Sequence, residues 1–212
     1  MTKQARSENT RLHLVRSAAE LFDRNGFAGA TLEDVSRAAG VTKGAFYFHF
    51  ASKDELGAAI QAEACAMLAD AVYRVDGRRP VVQSLIDLTH ELAVWLEREP
   101  VVRASFRTAR ECGHRGAPFL GFYTEWLSTV ETLLVSAGQA GELRAGVGVE
   151  QATTLVLTVS AGVEMLWWSG IRRGSIRDSL SGMWRLTLPG IVTAAALPDM
   201  DPNGTVRVVD SR

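Results

Sequence analysis

The chain has 212 residues, 47% of them hydrophobic, a formal net charge of −1 and two cysteines. That length can bury a core without staples, and Cys65 and Cys112 stand apart in helical patterns with no C-x-x-C spacing. A zinc site or disulfide framework is therefore not expected, and a reducing, intracellular (cytoplasmic) setting is. The net charge hides an asymmetry: through Lys53, eight Lys and Arg face five Asp and Glu, a balance of +3 that leaves −4 on the remainder. The first part of the chain is thus the part suited to meet a polyanion, although an ordinary solvated face accounts for the same charge.

The opening "MTKQARSENTRLHLVRSA" has no apolar run and predicts no secretory signal. From Glu8 to Asn25, Leu14, Ala18 and Leu21 with Val15, Ala19 and Phe22 recur at helical spacing, and Gly26 is expected to end the helix. In "TLEDVSRAAG", Thr31 and Asp34 form a capping box, Leu32, Val35 and Ala39 a short stripe, and Gly40 a stop. Thr42 caps a third short helix, and Ser52 with Glu55 opens a long fourth one from Lys53 to about Val75.

Beyond these, Pro80, Pro100 and Pro118 punctuate further helices. Leu85, Leu88, Leu92 and Trp95 form one seam, and Phe119, Phe122, Trp126, Val130 and Leu133 another. Residues 152–171 and much of 180–197 are apolar on nearly every side. About 20 apolar residues can span a bilayer, but Glu164 and scattered hydroxyls favour a helix buried on two faces, against its own domain and against a second copy. The end, "PDMDPNGTVRVVDSR", lacks periodicity and reads as a disordered tail.

The stretch "GVTKGAFYFHF" sorts itself once Thr42 is placed as the cap. Phe46 and Phe50 fall on one helix face and suit the core, while Lys43, Gly44 and Tyr47 fall on another and His49 lies near the outside. Two short helices joined by a tight turn, the second showing Thr, Lys, Gly and Tyr, make a helix-turn-helix pattern. Lys43 suits phosphate or a guanine edge, Gly44 allows close approach, and Tyr47 offers a hydroxyl and a ring. Thr31, Thr42 and Lys53 are further candidate phosphate contacts at helix starts.

Here the chain resembles a known family. "AAELFDRNGFAGATLEDVSRAAGVTKGAFYFHFASKDELG" is similar to the N-terminal signature of TetR-family transcriptional repressors, from about Arg11 to Ile60. The resemblance implies an all-α homodimer: a helix-turn-helix DNA-binding domain over 1–52, a ligand-binding and dimerisation domain over 53–197 and a tail over 198–212. Phe48 departs from the tyrosine that many members carry. A shorter stretch, "EPVVRASFRTARE" with "PFLGFYTEWLSTVETLL", is similar to the γ-butyrolactone receptor branch, in which a tryptophan matching Trp126 lies against the signalling ligand.

Trp126 is either core or ligand contact, since a buried indole N–H needs a partner. The candidate walls beside it are Leu85, Leu88, Phe106, Val130 and Met165, with Thr129 and Thr158 as polar anchors. The expected partners are duplex operator DNA, a γ-butyrolactone-like small molecule and a second copy of the chain, with no membrane and no cofactor. The alternatives are a drug or metabolite sensor controlling an efflux pump, or a helical lipid-binding or membrane-associated protein. An enzyme is not expected, because His13, His49, His90 and His114 stand in separate segments without catalytic partners.

Overall fold

The computed structural model describes residues 3–171 and 174–205. Among them lie nine α-helices and three short 3-10 turns, with no strand: α1 Lys3–Gly29, α2 Leu32–Ala38, α3 Lys43–His49, α4 Lys53–Val75, α5 Val81–Arg98, α6 Pro100–Cys112, α7 Gly121–Gln139, α8 Val149–Trp168 and α9 Ile176–Ile191. The all-α expectation holds. No helix among the described residues is long and apolar enough to cross a membrane. The chain groups into two compact units, Met1–Leu68 with Arg98–Glu125 and Ala69–Glu97 with Trp126–Arg212. The first part of α4 and all of α6 thus lie with α1, α2 and α3.

In the first unit α1 buries Leu14, Val15, Ala18 and Phe22 on the predicted face. Its regular run ends at Gly26, as expected. The helix breaks there, at φ 78°, and adds a last turn whose ends are held by Lys53: its Nζ donates to Phe27 O at 2.7 Å and Ala30 O at 3.0 Å. Helix α6 clasps the same place. Arg103 Nε donates to Asp23 Oδ2 at 2.8 Å, Arg107 donates to the carbonyls of Asp23 and Arg24, and the Glu111 carboxylate accepts from Ala28 N. A Cβ on Gly26 would meet the movable end of the Glu111 side chain at 2.6 Å, and it is the positive φ that favours glycine. Gln61, buried on α4, donates to Ser105 O and accepts from Phe122 N.

The second unit joins its elements through buried polar groups. Glu142 accepts from Val81 N at 2.8 Å and Val82 N at 2.9 Å, satisfying two of the amides that the start of α5 leaves without helical partners. Trp184 Nε1 on α9 donates to Thr89 Oγ1 on α5 at 2.8 Å. The buried line of α7 runs Trp126, Val130, Leu134 and Ala137, so Leu134 takes the place expected for Leu133, which is only half-buried. Phe119 belongs to a 3-10 turn before α7.

The tail expectation needs correction for residues 198–205. Met200 is buried, Asp201 N donates to Gln83 Oε1 at 2.7 Å, and Thr205 donates through N and Oγ1 to the Asp87 carboxylate. Backbone and hydroxyl donors, not apolar periodicity, hold this strap, and a pattern search cannot see them. Residues 206–212 lie outside the described residues.

Candidate functional site

The geometry of the head is set by two local caps and one turn. Thr31 Oγ1 accepts from Asp34 N at 3.1 Å while the Asp34 carboxylate accepts from Thr31 N at 3.3 Å, the reciprocal box that starts α2. Hydrogen bonds from Thr31, with Arg37 nearby, hold the Asp34 carboxyl below the usual carboxylate range. Gly40 turns the chain at φ 63°, a conformation other residues resist. Thr42 then caps α3, its Oγ1 accepting from Ala45 N at 3.2 Å.

Helix α3 divides as the spacing predicts. Phe46 and Phe50 are buried, with ring centroids 6.0 Å apart. Lys43 and Gly44 are exposed and Tyr47 is half-exposed, its ring edge-on to Phe46. A Cβ at Gly44 would meet nothing within 4 Å, so nothing inside the chain requires glycine there. Its missing side chain leaves the helix surface open at that point. Phe48 is 78% exposed, edge-on to His49 at 5.1 Å. A large apolar ring so fully in water is informative, and the sequence reading left it out of the contact set because a phenyl ring offers no hydrogen bond.

Two candidate phosphate contacts also have partners inside the chain. The Thr31 hydroxyl donates its proton to Asp34 Oδ2 at 2.6 Å, so it is spent inside the capping box, beside a carboxylate that repels phosphate. Lys53 spends two of its three N–H bonds on carbonyls and sits over the Phe27 ring at 4.6 Å. It is a strut for the end of α1. Thr42, Lys43, Gly44, Tyr47 and His49 stay together on α3 and its cap.

The candidate ligand residues separate. Trp126 and Val130 on α7 and Leu85 and Leu88 on α5 are all buried, and Thr129 is half-buried. Phe106 lies in the other unit, against the rings of Phe122 and Tyr123. Met165 is 64% exposed, and Thr158 is exposed with its hydroxyl turned back to Thr154 O at 2.7 Å. These two are not buried walls. The buried line of α8 is Ala152, Thr153, Val156, Ser160 and Glu164, a face that could not be chosen in a stretch apolar on nearly every side. Trp126 Nε1 and Thr153 Oγ1 are buried without a hydrogen-bond partner among the described residues, and Thr153 carried no signal in the sequence. The outer faces of α8 and α9 enclose a groove of about 460 Å³ lined by Val159, Val163, Leu166, Met183 and Leu186.

A family model for bacterial regulatory proteins of the tetR family matches residues 14–60, the segment that builds this head. Over nearly its whole length the chain is similar to the A-factor receptor protein of Streptomyces griseus, at 29% identity over 206 residues, 97% of this chain and 72% of that protein. It is similar to a crystal structure of an ArpA-like γ-butyrolactone receptor, at TM-score 0.75 and 31% identity, covering 90% of this chain and 92% of that one. The TetR-family protein CprB of Streptomyces coelicolor, solved with its biological operator sequence, aligns at TM-score 0.71 and 32% identity over 90% and 92% of the two chains. With the capped head, the α3 surface and this full-length similarity in place, the chain belongs to the TetR family of bacterial regulatory proteins, on the branch of the γ-butyrolactone receptors.

Proposed function

We propose that this protein is a cytoplasmic, ligand-responsive transcriptional repressor, not an enzyme. It binds a pseudo-palindromic operator as a homodimer and is released by a small signalling molecule of the γ-butyrolactone type. One observation carries the DNA reading: α3 buries Phe46 and Phe50 and turns Lys43, the open Gly44 and Tyr47 outward. A two-fold dimer sets two such helices about 34–36 Å apart, or a multiple of the helical turn, on one side of the duplex.

The exposed apolar side chains Met165, Trp168, Ile171 and Leu186 beside the groove between α8 and α9 support the homodimer, because an apolar patch of this kind marks an interaction surface. A second copy presents the same patch. The ligand reading rests on the buried, unpartnered indole N–H of Trp126. An apolar molecule with a carbonyl acceptor, such as a lactone, completes that bond and gains apolar walls besides.

Release is then a population shift. A ligand that prefers the DNA-incompatible dimer by about 2.8 kcal/mol weakens operator binding about a hundredfold. The test is operator affinity by gel shift at fixed salt: Lys43→Ala and Tyr47→Ala should each cost about 1–3 kcal/mol. Unchanged affinity in both variants removes α3 as the recognition helix.

A further inference from the structure

The line of α1 that buries Phe22, Ala18 and Leu14 continues toward the start of the helix, at the same three- and four-residue steps, through Arg11, Ser7 and Gln4. Helix α1 therefore runs on past the core of the head, and the face that was apolar becomes polar. Arg11 is exposed, and its guanidinium lies over the Phe50 ring, 5.0 Å from the centroid. Phe50 is the residue that closes α3. No carboxylate pairs with Arg11 among the described residues. A guanidinium stacked on an aromatic face keeps its N–H edge free while losing much of its rotational freedom.

We propose that Arg11 is a phosphate clamp: it grips one backbone phosphate per half-site beside the C-terminal end of α3 and sets the register of that helix in the groove. The inference rests on the reading of α3 as the recognition helix. Arg6, also exposed and five residues away, adds charge to the same overhanging stretch, whereas Glu8 is the one acid of residues 3–19. Phosphate is the occupant that this chemistry suits, because a stacked guanidinium presents paired donors to paired oxygens. Such a contact carries no base preference and acts through position and salt-dependent affinity.

The experiment uses the full chain and a duplex selected by the protein from random-sequence DNA, with affinity measured by fluorescence anisotropy across a salt series. Each phosphate neutralised contributes about 0.9 to the slope of log K against log salt, so Arg11→Gln should flatten the dimer's slope by about 1.8, and Arg11→Lys should restore most of it. Ethylation interference should lose one phosphate per half-site in Arg11→Gln. If Arg11→Gln weakens binding with an unchanged slope and a lowered melting temperature, Arg11 only holds Phe50 and the clamp is wrong. If Arg11→Gln changes neither affinity nor slope while Lys43→Ala still weakens binding, the clamp fails and the recognition helix stands. Should Lys43→Ala and Tyr47→Ala also leave affinity untouched, the reading of α3 itself fails.

Discussion

The helix starts of the head and the buried polar groups of the second unit are satisfied over very different distances along the chain. In the head, Thr31 answers Asp34, Thr42 answers Ala45 and Ser52 answers Glu55, each three residues away. In the second unit Glu142 reaches back 61 residues to Val81, Trp184 95 residues to Thr89, and Thr205 118 residues to Asp87. Helices α2 and α3 have seven residues each and depend on a cap at the start, because a helix of two turns has few internal bonds to hold it. The second unit's helices are long and apolar, and their few polar groups define which helix meets which.

The sharpest test of that contrast is a matched pair of cap deletions. Glu142→Ala strands the amides of Val81 and Val82, both buried, and should cost about 2–4 kcal/mol. Thr31→Ala removes a solvent-exposed cap and should cost about 1 kcal/mol. Chemical denaturation of both variants decides it, and equal costs would erase the distinction between local and distant satisfaction.

A smaller effect is expected where the second unit leaves a donor unsatisfied. Trp126→Phe removes an N–H that has no partner among the described residues, so the unliganded protein should melt within about 1 kcal/mol of the parent. The response to a synthetic γ-butyrolactone should need about tenfold more ligand, the loss of one hydrogen bond worth about 1.4 kcal/mol. Release at the parent concentration would reduce Trp126 to core packing.

The smallest effect concerns the strap. Burial holds the His90 imidazole below its ordinary value, opposed by its bond to Pro202 O and by Asp87 and Asp201, and aided by Arg177. The unfolded chain takes up that proton near pH 6.5, whereas the folded chain does so only at lower pH. Stability is therefore full above about pH 6.5 and falls as the pH drops toward the folded value. Thermal melts between pH 7.5 and 5 should show this slope in the parent and a shallower one in His90→Gln. Parallel profiles would show that His90 is not the group responsible.

Much of the head was legible in advance. Capping boxes, the Gly40 turn and the division of aromatics along α3 are all written within a few residues. The internal bonds of Lys53 were not legible, because its acceptors at Phe27 and Ala30 lie 26 and 23 residues away. Phe48 was passed over for its lack of polar atoms.

The amino-acid order by itself determined the helices, their caps and the outward face of α3, since those depend on interactions three or four residues apart. It also carried the family resemblance, which the full-length similarity confirms. Only the tertiary structure decided which face of α8 is buried, that Met165 and Thr158 lie outside, that Thr153 and Trp126 keep unpaired polar atoms, and that residues 200–205 strap onto α5. The strap depends on groups brought together from 118 residues apart, and a helix that is apolar on nearly every side names no partner until the chain has folded around it.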